Sequence, residues 1–310
     1  MTAAASDARR PARPSLVLTL RNVAAIAILV VLTLAALPVQ LVAHRRGWRL
    51  AATLPVWWHR RALAALGVRV RVVGAPCRDR PLLVTPNHVS WLDINLIGSL
   101  MPLSFVAKSE VAGWPLFGLF AKLQRTVFVD RTRRTDTARV NGEIAQRLAS
   151  GDAMVLFPEG TSSDGTHVLP FRSALIGAAR AAMVEGGHDR VWVQPLAIVL
   201  KRLDGLPLGR AERPRLAWYG DTDMFPHLIG TILLGPVDID LVWGEPIPFD
   251  ETTDRKLITR ALEREVRRLV SAGIAGREPL RPGLPGAAAP TGLSKRPAVA
   301  GQAAGILPAP

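Results

Sequence analysis

Residues Val23 to Val42 form an apolar run of twenty, interrupted only by Thr33, Pro38 and Gln40. At about 1.5 Å of rise per helical residue, such a run matches the ~30 Å hydrocarbon core of a bilayer. This feature restricts the chain more than any other, because most folds have no place for it except against lipid. A secretory leader has a shorter apolar stretch followed by a small-residue cleavage site, a different pattern from this one. Arg9, Arg10, Arg13 and Arg21 precede the run, and Arg45, Arg46 and Arg49 follow it, so the flanking charge gives no simple orientation. Pro38 leaves open a break into a hairpin or re-entrant pair, with Trp57, Trp58 and His59-Arg60-Arg61 at the interface. Membrane attachment is expected, and the number of crossings stays open.

The charge balance fits that setting. Arg and Lys total 39 against 25 Asp and Glu, a net +14, and five of the cations are Lys. Nucleic-acid binding would call for cations clustered among aromatics, and with one Tyr and no such stripe that class is set aside. An anionic membrane surface attracts spread or juxtamembrane cations. Cys77 is the single cysteine, so neither an intramolecular disulfide nor a multi-cysteine metal site is available. That fits a globular part on the cytoplasmic side of the inner membrane.

Beyond the apolar segment the pattern changes. Val68 to Val73 alternates as a half-buried strand, and short apolar strands are expected at Leu82 to Thr85, Leu103 to Ala107, Thr126 to Val129 and Ala153 to Phe157. Further strands are expected at Val191 to Leu200 and Ile239 to Trp243. Between them, Ser90 to Met101, Trp114 to Leu123, Asp136 to Ser150 and Arg172 to Val184 read as helices, and Thr252 to Ser271 as a long charged amphipathic one. Strands alternating with helices predict an α/β domain with a largely parallel sheet flanked by helices. The resulting division is a disordered basic arm over 1–14, a helical membrane-anchoring segment over 15–66, a globular domain over 67–276 and a disordered Pro/Ala/Gly-rich tail over 277–310.

Three segments could carry chemistry. In Thr85-Pro-Asn-His-Val-Ser-Trp-Leu-Asp93, a strand ends and a helix opens, the place where α/β proteins put their sites. His88 and Asp93 would point about 140° apart on one continuous helix. They can meet only if His88 lies in the loop and Asp93 in the first turns, which an N-cap at Ser90 allows. A carboxylate beside a neutral imidazole makes a general base. The competing reading is a capping box, Ser90-x-x-Asp93, in which Asp93 only bonds a backbone amide. Phe157-Pro-Glu-Gly-Thr-Ser162 is a strand running into a turn able to present N–H groups and hydroxyls to an oxyanion or phosphate, or else an ordinary polar turn. In Phe128-Val-Asp-Arg131, Arg131 is either an anion ligand or a surface partner of Asp130. The chain contains no G-x-S-x-G elbow, no phosphate loop of the G-x-x-x-x-G-K-[ST] type and no H-E-x-x-H zinc motif.

In this order and spacing the segments resemble the lysophospholipid (1-acylglycerol-3-phosphate) acyltransferase family. His88-x4-Asp93 matches its first motif, Phe128 to Arg131 its second, Phe157 to Thr161 its third, and Val193-Gln194-Pro195 its weaker fourth. The resemblance implies a glycerolipid acyltransferase-like domain with His88 as base and Asp93 as its orienter. It implies that Arg131, Glu159, Gly160 and Thr161 bind the acceptor, with Asn87, Lys108, Arg125 and Ser162 as further candidates. It also implies an acyl-CoA or acyl carrier protein thioester as donor, with no resident cofactor and no metal. Two positions depart from the family pattern. Ser162 stands where members that acylate lysophosphatidate commonly carry Arg, and Arg125 stands where the second motif usually opens with Gly; Arg125 is then a candidate displaced cation. Glu159 to Gly165 with Leu169-Pro-Phe171, Trp218-Tyr-Gly-Asp221 and Pro226-His-Leu228 look like the branch that acylates lyso-ornithine lipid. Lysophosphatidate is the first expectation for the acceptor, narrowly ahead of lyso-ornithine lipid. A non-catalytic membrane scaffold on the same fold is the alternative from another class.

Overall fold

The computed structural model describes residues 16–129, 137–177, 187 and 189–277. The apolar run lies in one long helix, α1 (Leu16–Arg46), with Pro38 inside it. The break that Pro38 left open does not occur there. The chain turns instead at Gly47, whose φ of 64° places it in the left-handed region that glycine enters without a Cβ clash. The Trp48 amide donates to the Ala43 carbonyl and the Gly47 amide to that of His44, which satisfies two of the carbonyls left open at the helix end. The second helix, α2 (Leu50–Ala65), then packs against α1. Val23, Ile28, Val31, Leu34 and Val42 on α1 are exposed, so the apolar surface of the helix faces outward rather than into the protein. The helix is long and apolar enough to cross a membrane.

Polar side chains fasten this hairpin to the rest. Trp58 Nε1 donates to Thr33 Oγ1 at 3.1 Å and Gln40 Nε2 to the Ala51 carbonyl at 2.8 Å, joining α2 to α1. Buried His59 bridges Asn95 and Gln124 at 2.9 and 3.2 Å, and Arg60 Nε donates to the Ser99 carbonyl at 2.7 Å. Asn95 belongs to α3 (Leu92–Gly98), so the apolar hairpin and the helix carrying Asp93 are held directly against each other. Gly98 is required there, because a Cβ at that position would lie 2.5 Å from the His59 ring.

The sheet is built from β1 (Val68–Val73), β2 (Leu82–Pro86), β3 (Ser104–Lys108), β4 (Val127–Val129), β5 (Ala153–Val155), β6 (Arg190–Leu203), β7 (Leu206–Pro207), β8 (Val237–Trp243) and β9 (Ile247–Asp250). The order is β1-β8-β6-β2-β5-β3-β4, with β7 and β9 paired to β6. From β6 through β2, β5 and β3 to β4 every pairing is parallel, and β1 is parallel to β8. The long β6 departs from that rule, pairing antiparallel with β8, β9 and β7. Central β2 is buried along its whole length, as a parallel strand covered on both faces must be. One apolar layer, with Leu83, Met154 and Val193, packs under α7 (Arg255–Ile274) and α5 (Thr137–Ala149). The other, with Val84, Phe105 and Ile198, packs under α3 and the end of α2.

Several elements differ from the sequence expectation. The helix expected over Ser90 to Met101 is only the two turns of α3, and Trp114 to Leu123 holds α4 (Phe117–Leu123) behind a 3-10 turn at Ser109–Gly113. The strand expected over Ala153 to Phe157 stops at Val155, where the chain bends toward the Glu159 turn. Residues 173–177 are helical, while the rest of the helix expected to Val184 lies outside the described residues. A helix at Met224–Leu233, α6, was not anticipated. Its ten residues include Pro226 in the first turn and Gly230, and a short apolar stretch gives no periodicity that separates helix from strand. The basic arm over 1–14 and nearly all of the tail over 277–310 fall outside the described residues.

Candidate active site

Parallel strands bring their carboxyl ends to one edge, and that edge gathers the motifs. The amide of Leu156 donates to the Val84 carbonyl at 3.0 Å, which carries the β2–β5 pairing past the strand end. The stretch Phe157 to Glu159 is thereby laid beside Asn87 and His88. Asn87 does the same on the other side. Its Oδ1 accepts from the Ile198 amide at 2.8 Å and its Nδ2 donates to the Ile198 carbonyl at 3.1 Å, so the side chain substitutes for a further rung of the β2–β6 ladder. Asn87 is buried and spent on this backbone, which makes it a positioning residue for the loop that follows.

In that loop His88 Nδ1 lies 2.7 Å from Asp93 Oδ2. The same oxygen accepts from the amides of Val89 at 2.7 Å and Ser90 at 2.9 Å. Both readings of Asp93 therefore hold at once: one carboxylate oxygen orients the imidazole and satisfies two amides at the mouth of α3. Ser90 fills only half of the expected capping box. Its amide is bonded, but its buried Oγ has no partner and the side chain caps nothing. An ionised carboxylate only accepts, so in a neutral ring this contact selects the tautomer with its hydrogen on Nδ1 and its lone pair on Nε2. The Phe157 ring stacks on the imidazole at 4.0 Å and 24°, fixing the ring plane. At 18 % exposure, the His88 side chain is still reachable from outside. In sequence Phe157 was legible as a strand end and the opening of the third motif, but not as the ring that stacks on His88.

Glu159 points inward. Its Oε1 accepts from the His88 amide at 2.8 Å and its Oε2 from the Leu169 amide at 3.0 Å, with the residue 2 % exposed. The side chain expected at the acceptor is thus a brace for the backbone of His88. Burial pushes its carboxyl from 4.5 up to about 8, with the charge of Asp93 adding to the rise and the two amide bonds and Arg267 opposing it. Glu159 is then largely neutral at pH 7, and its two oxygens keep lone pairs for both amides. The folded state holds a proton here that the unfolded chain releases near pH 4.5. The resulting stabilisation is complete below pH 4.5 and is lost as pH rises to about 8, by at most about 1.4 kcal/mol per pH unit. Thermal melting should therefore fall between pH 6 and 8 in the parent protein. Glu159→Gln, which cannot ionise, should melt lower throughout but with a shallower dependence; equal slopes would contradict the buried proton.

The rest of the turn is divided between structure and surface. Gly160 has φ 75°, and its amide donates to the Phe157 carbonyl at 3.1 Å. Thr161 is exposed beside it. Ser162 Oγ donates to the Trp218 carbonyl, and the Trp218 amide donates to the Val89 carbonyl at 2.9 Å. Ser163 closes the circle, its amide donating to the His88 carbonyl at 2.8 Å. Trp218 and its loop, legible in sequence only as a mark of the lyso-ornithine lipid branch, are parts of the site; their link to Val89 spans more than a hundred residues of sequence. Trp91 Nε1 likewise donates to His227 Nδ1 of α6 at 3.1 Å.

Two cationic candidates separate cleanly. Lys108 ends β3 on the same edge as His88 and is exposed. Arg125 precedes β4 and pairs with Asp152, which precedes β5, at 2.9 Å. Both therefore sit at the amino ends of their strands, across the sheet from His88, and Arg125 is not a displaced acceptor ligand. Arg131 lies outside the described residues.

Comparison with known proteins adds to this geometry. The acyltransferase family model matches residues 69–199. A lyso-ornithine lipid O-acyltransferase of Brucella abortus is 45 % identical over 262 residues, covering 84 % of this chain and 97 % of the relative. A 1-acyl-sn-glycerol-3-phosphate acyltransferase of Neisseria gonorrhoeae is 31 % identical over 68 % of this chain and 78 % of its own length. Among solved structures, the 1-acyl-sn-glycerophosphate acyltransferase of Thermotoga maritima superposes with a TM-score of 0.61 at 23 % identity, over 85 % of this chain and 97 % of that one, which establishes the shared fold.

Proposed function

This chain belongs to the acyltransferase family, and we propose that it esterifies the hydroxyl of lyso-ornithine lipid with an acyl chain from a thioester. It is a lysolipid acyltransferase rather than a scaffold. The observation that carries the chemistry is the His88–Asp93 contact of 2.7 Å, which engages Nδ1 and leaves Nε2 as the nitrogen able to act as base. His88 Nε2 takes the proton of the acceptor hydroxyl as its oxygen attacks the thioester carbonyl, and Asp93 stabilises the imidazolium. The tetrahedral oxyanion then collapses, the C–S bond breaks, and the leaving thiolate takes the proton back from His88. The donor's acyl group is already activated, so a positioned base suffices without a resident cofactor. CoA and acyl carrier protein are both candidate carriers, and the net +14 suits an anionic one. The apolar face of α1 supports attachment to the inner membrane, and the lone Cys77 fits a catalytic domain on its cytoplasmic side.

The order of the two acceptors is reversed from the sequence expectation. The relative that acts on lyso-ornithine lipid shares 45 % identity, against 31 % for the lysophosphatidate enzyme. Chemistry near the turn supports the same order. Where a phosphate-binding Arg would stand, the Ser162 hydroxyl is committed to Trp218. The loop that Trp218 begins bears exposed Asp221 and Asp223. Carboxylates there suit the ammonium group of an ornithine head and repel a phosphate. Offered equal amounts of lyso-ornithine lipid and lysophosphatidate with acyl-CoA or acyl carrier protein donors, the protein should form ornithine lipid at least tenfold faster. Faster formation of phosphatidate would reverse the assignment.

A further inference from the structure

The short helix α6 has a surface that the catalytic chemistry leaves unused. Its sequence, Met-Phe-Pro-His-Leu-Ile-Gly-Thr-Ile-Leu, contains no Asp, Glu, Lys or Arg. Phe225, Ile229 and Leu233 recur every fourth residue, so they form one stripe along the helix. They are 62 %, 48 % and 44 % exposed. The polar side chains point the other way. His227 accepts from Trp91 Nε1, and Thr231 Oγ1 donates to the His227 carbonyl at 2.9 Å. Single exposed apolar residues are ordinary, but a contiguous stripe on an uncharged helix marks a contact surface.

Its neighbours identify what it contacts. α6 packs against α1, whose own apolar face is exposed, so two helices with exposed apolar side chains lie side by side. On its inner side α6 reaches the catalytic loop through His227 and Trp91, three residues beyond His88. We propose that α6 is a second membrane contact, an interfacial helix whose Phe225, Ile229 and Leu233 enter the lipid beside α1 and hold the mouth of the His88 site at the bilayer surface. This rests on the reading of α1 as a membrane segment. Helices of this kind lie in the interface with the apolar face among the upper acyl chains. A lysolipid would then reach His88 without first leaving the bilayer, because the helix that touches lipid also touches Trp91.

The test uses the full chain in vesicles of zwitterionic and anionic phospholipid, with Cys77→Ser as background. An environment-sensitive fluorophore is attached at Phe225→Cys, Ile229→Cys or Leu233→Cys, and at Arg260→Cys, an exposed site on α7, as reference. Quenchers carried on lipid acyl chains should dim each α6 label at least threefold more than the reference, and aqueous iodide should show the opposite order. Labels on α6 that match the reference toward both quenchers would overturn the proposal. So would labels shielded from iodide but untouched by lipid quenchers, the signature of contact with protein. As a second readout, Phe225→Asp with Ile229→Asp should lower turnover of vesicle-embedded acceptor about tenfold with unchanged melting, and parent-like turnover would count against it. Lipid quenching in a protein that forms no ornithine lipid would leave the membrane contact standing and remove the acceptor reading instead.

Discussion

His88→Ala should lower acyl transfer on the order of a hundredfold or more, the scale of general-base catalysis, while the protein stays folded and attached to membranes. The expectation of an intact fold comes from the main chain. The loop is held by the His88 amide on Glu159, by the His88 carbonyl receiving the Ser163 amide and by the Val89 carbonyl receiving the Trp218 amide, none of which involves the imidazole. Asp93 keeps two of its three donors when the ring is gone. Initial rates with labelled thioester, together with a melting curve, check both halves. A variant that turns over at near the parental rate would remove His88 from the mechanism.

Asp93 gives the second large effect, and its variants should behave differently from one another. Asp93→Ala leaves the Val89 and Ser90 amides without a partner in a site where Asp93 is 1 % exposed. Each stranded buried donor costs about 1–3 kcal/mol, so this variant should lose stability as well as activity. Asp93→Asn should keep its stability. Where an Asn replaces the orienting Asp of a serine-protease triad, the wrong imidazole tautomer costs about 10⁴-fold in kcat. Here two backbone amides aim at the oxygen that also receives His88 Nδ1, and an NH₂ group at that position would face three donors. The amide oxygen is therefore held toward the ring and the tautomer survives. Only the negative charge that stabilises the imidazolium is lost, so the expected loss for Asp93→Asn is on the order of a hundredfold. Melting temperatures and rates for the two variants decide the matter. An Asn variant with full activity would reduce Asp93 to a helix-end bond, and one that melts like the Ala variant would contradict the account of the two amides.

Much of this was legible in the residues. The alternation Val68 to Val73 became β1, and the fully apolar Leu82 to Val84 became the start of a central parallel strand, because period and burial are local properties of a strand. The loop–helix break that lets His88 meet Asp93 followed from helix geometry alone. What stayed hidden depends on contacts distant in sequence. Nothing in Glu159-Gly-Thr shows whether the carboxylate faces substrate or the amides of His88 and Leu169; packing decides that. The charge and position of Arg125 suited an anion, but strand polarity puts it on the far edge with Asp152. Pro38 carried a breaking signal that the helix accommodates, and the turn fell to Gly47 nine residues later. The tie between Trp91 and His227 joins two segments separated by more than a hundred residues.

The most direct measurement follows both products of one reaction. Full-length protein in vesicles is given a labelled acyl thioester with and without lyso-ornithine lipid, and free thiol and labelled ester are counted together. Oriented base catalysis on a lipid hydroxyl predicts one new ester for each thiol released, with thiol release falling to background when the acceptor is omitted or His88 is replaced by Ala. Thiol release at an undiminished rate without acceptor, giving free fatty acid in place of ester, would mean that water and not a lysolipid is the nucleophile, and would contradict it.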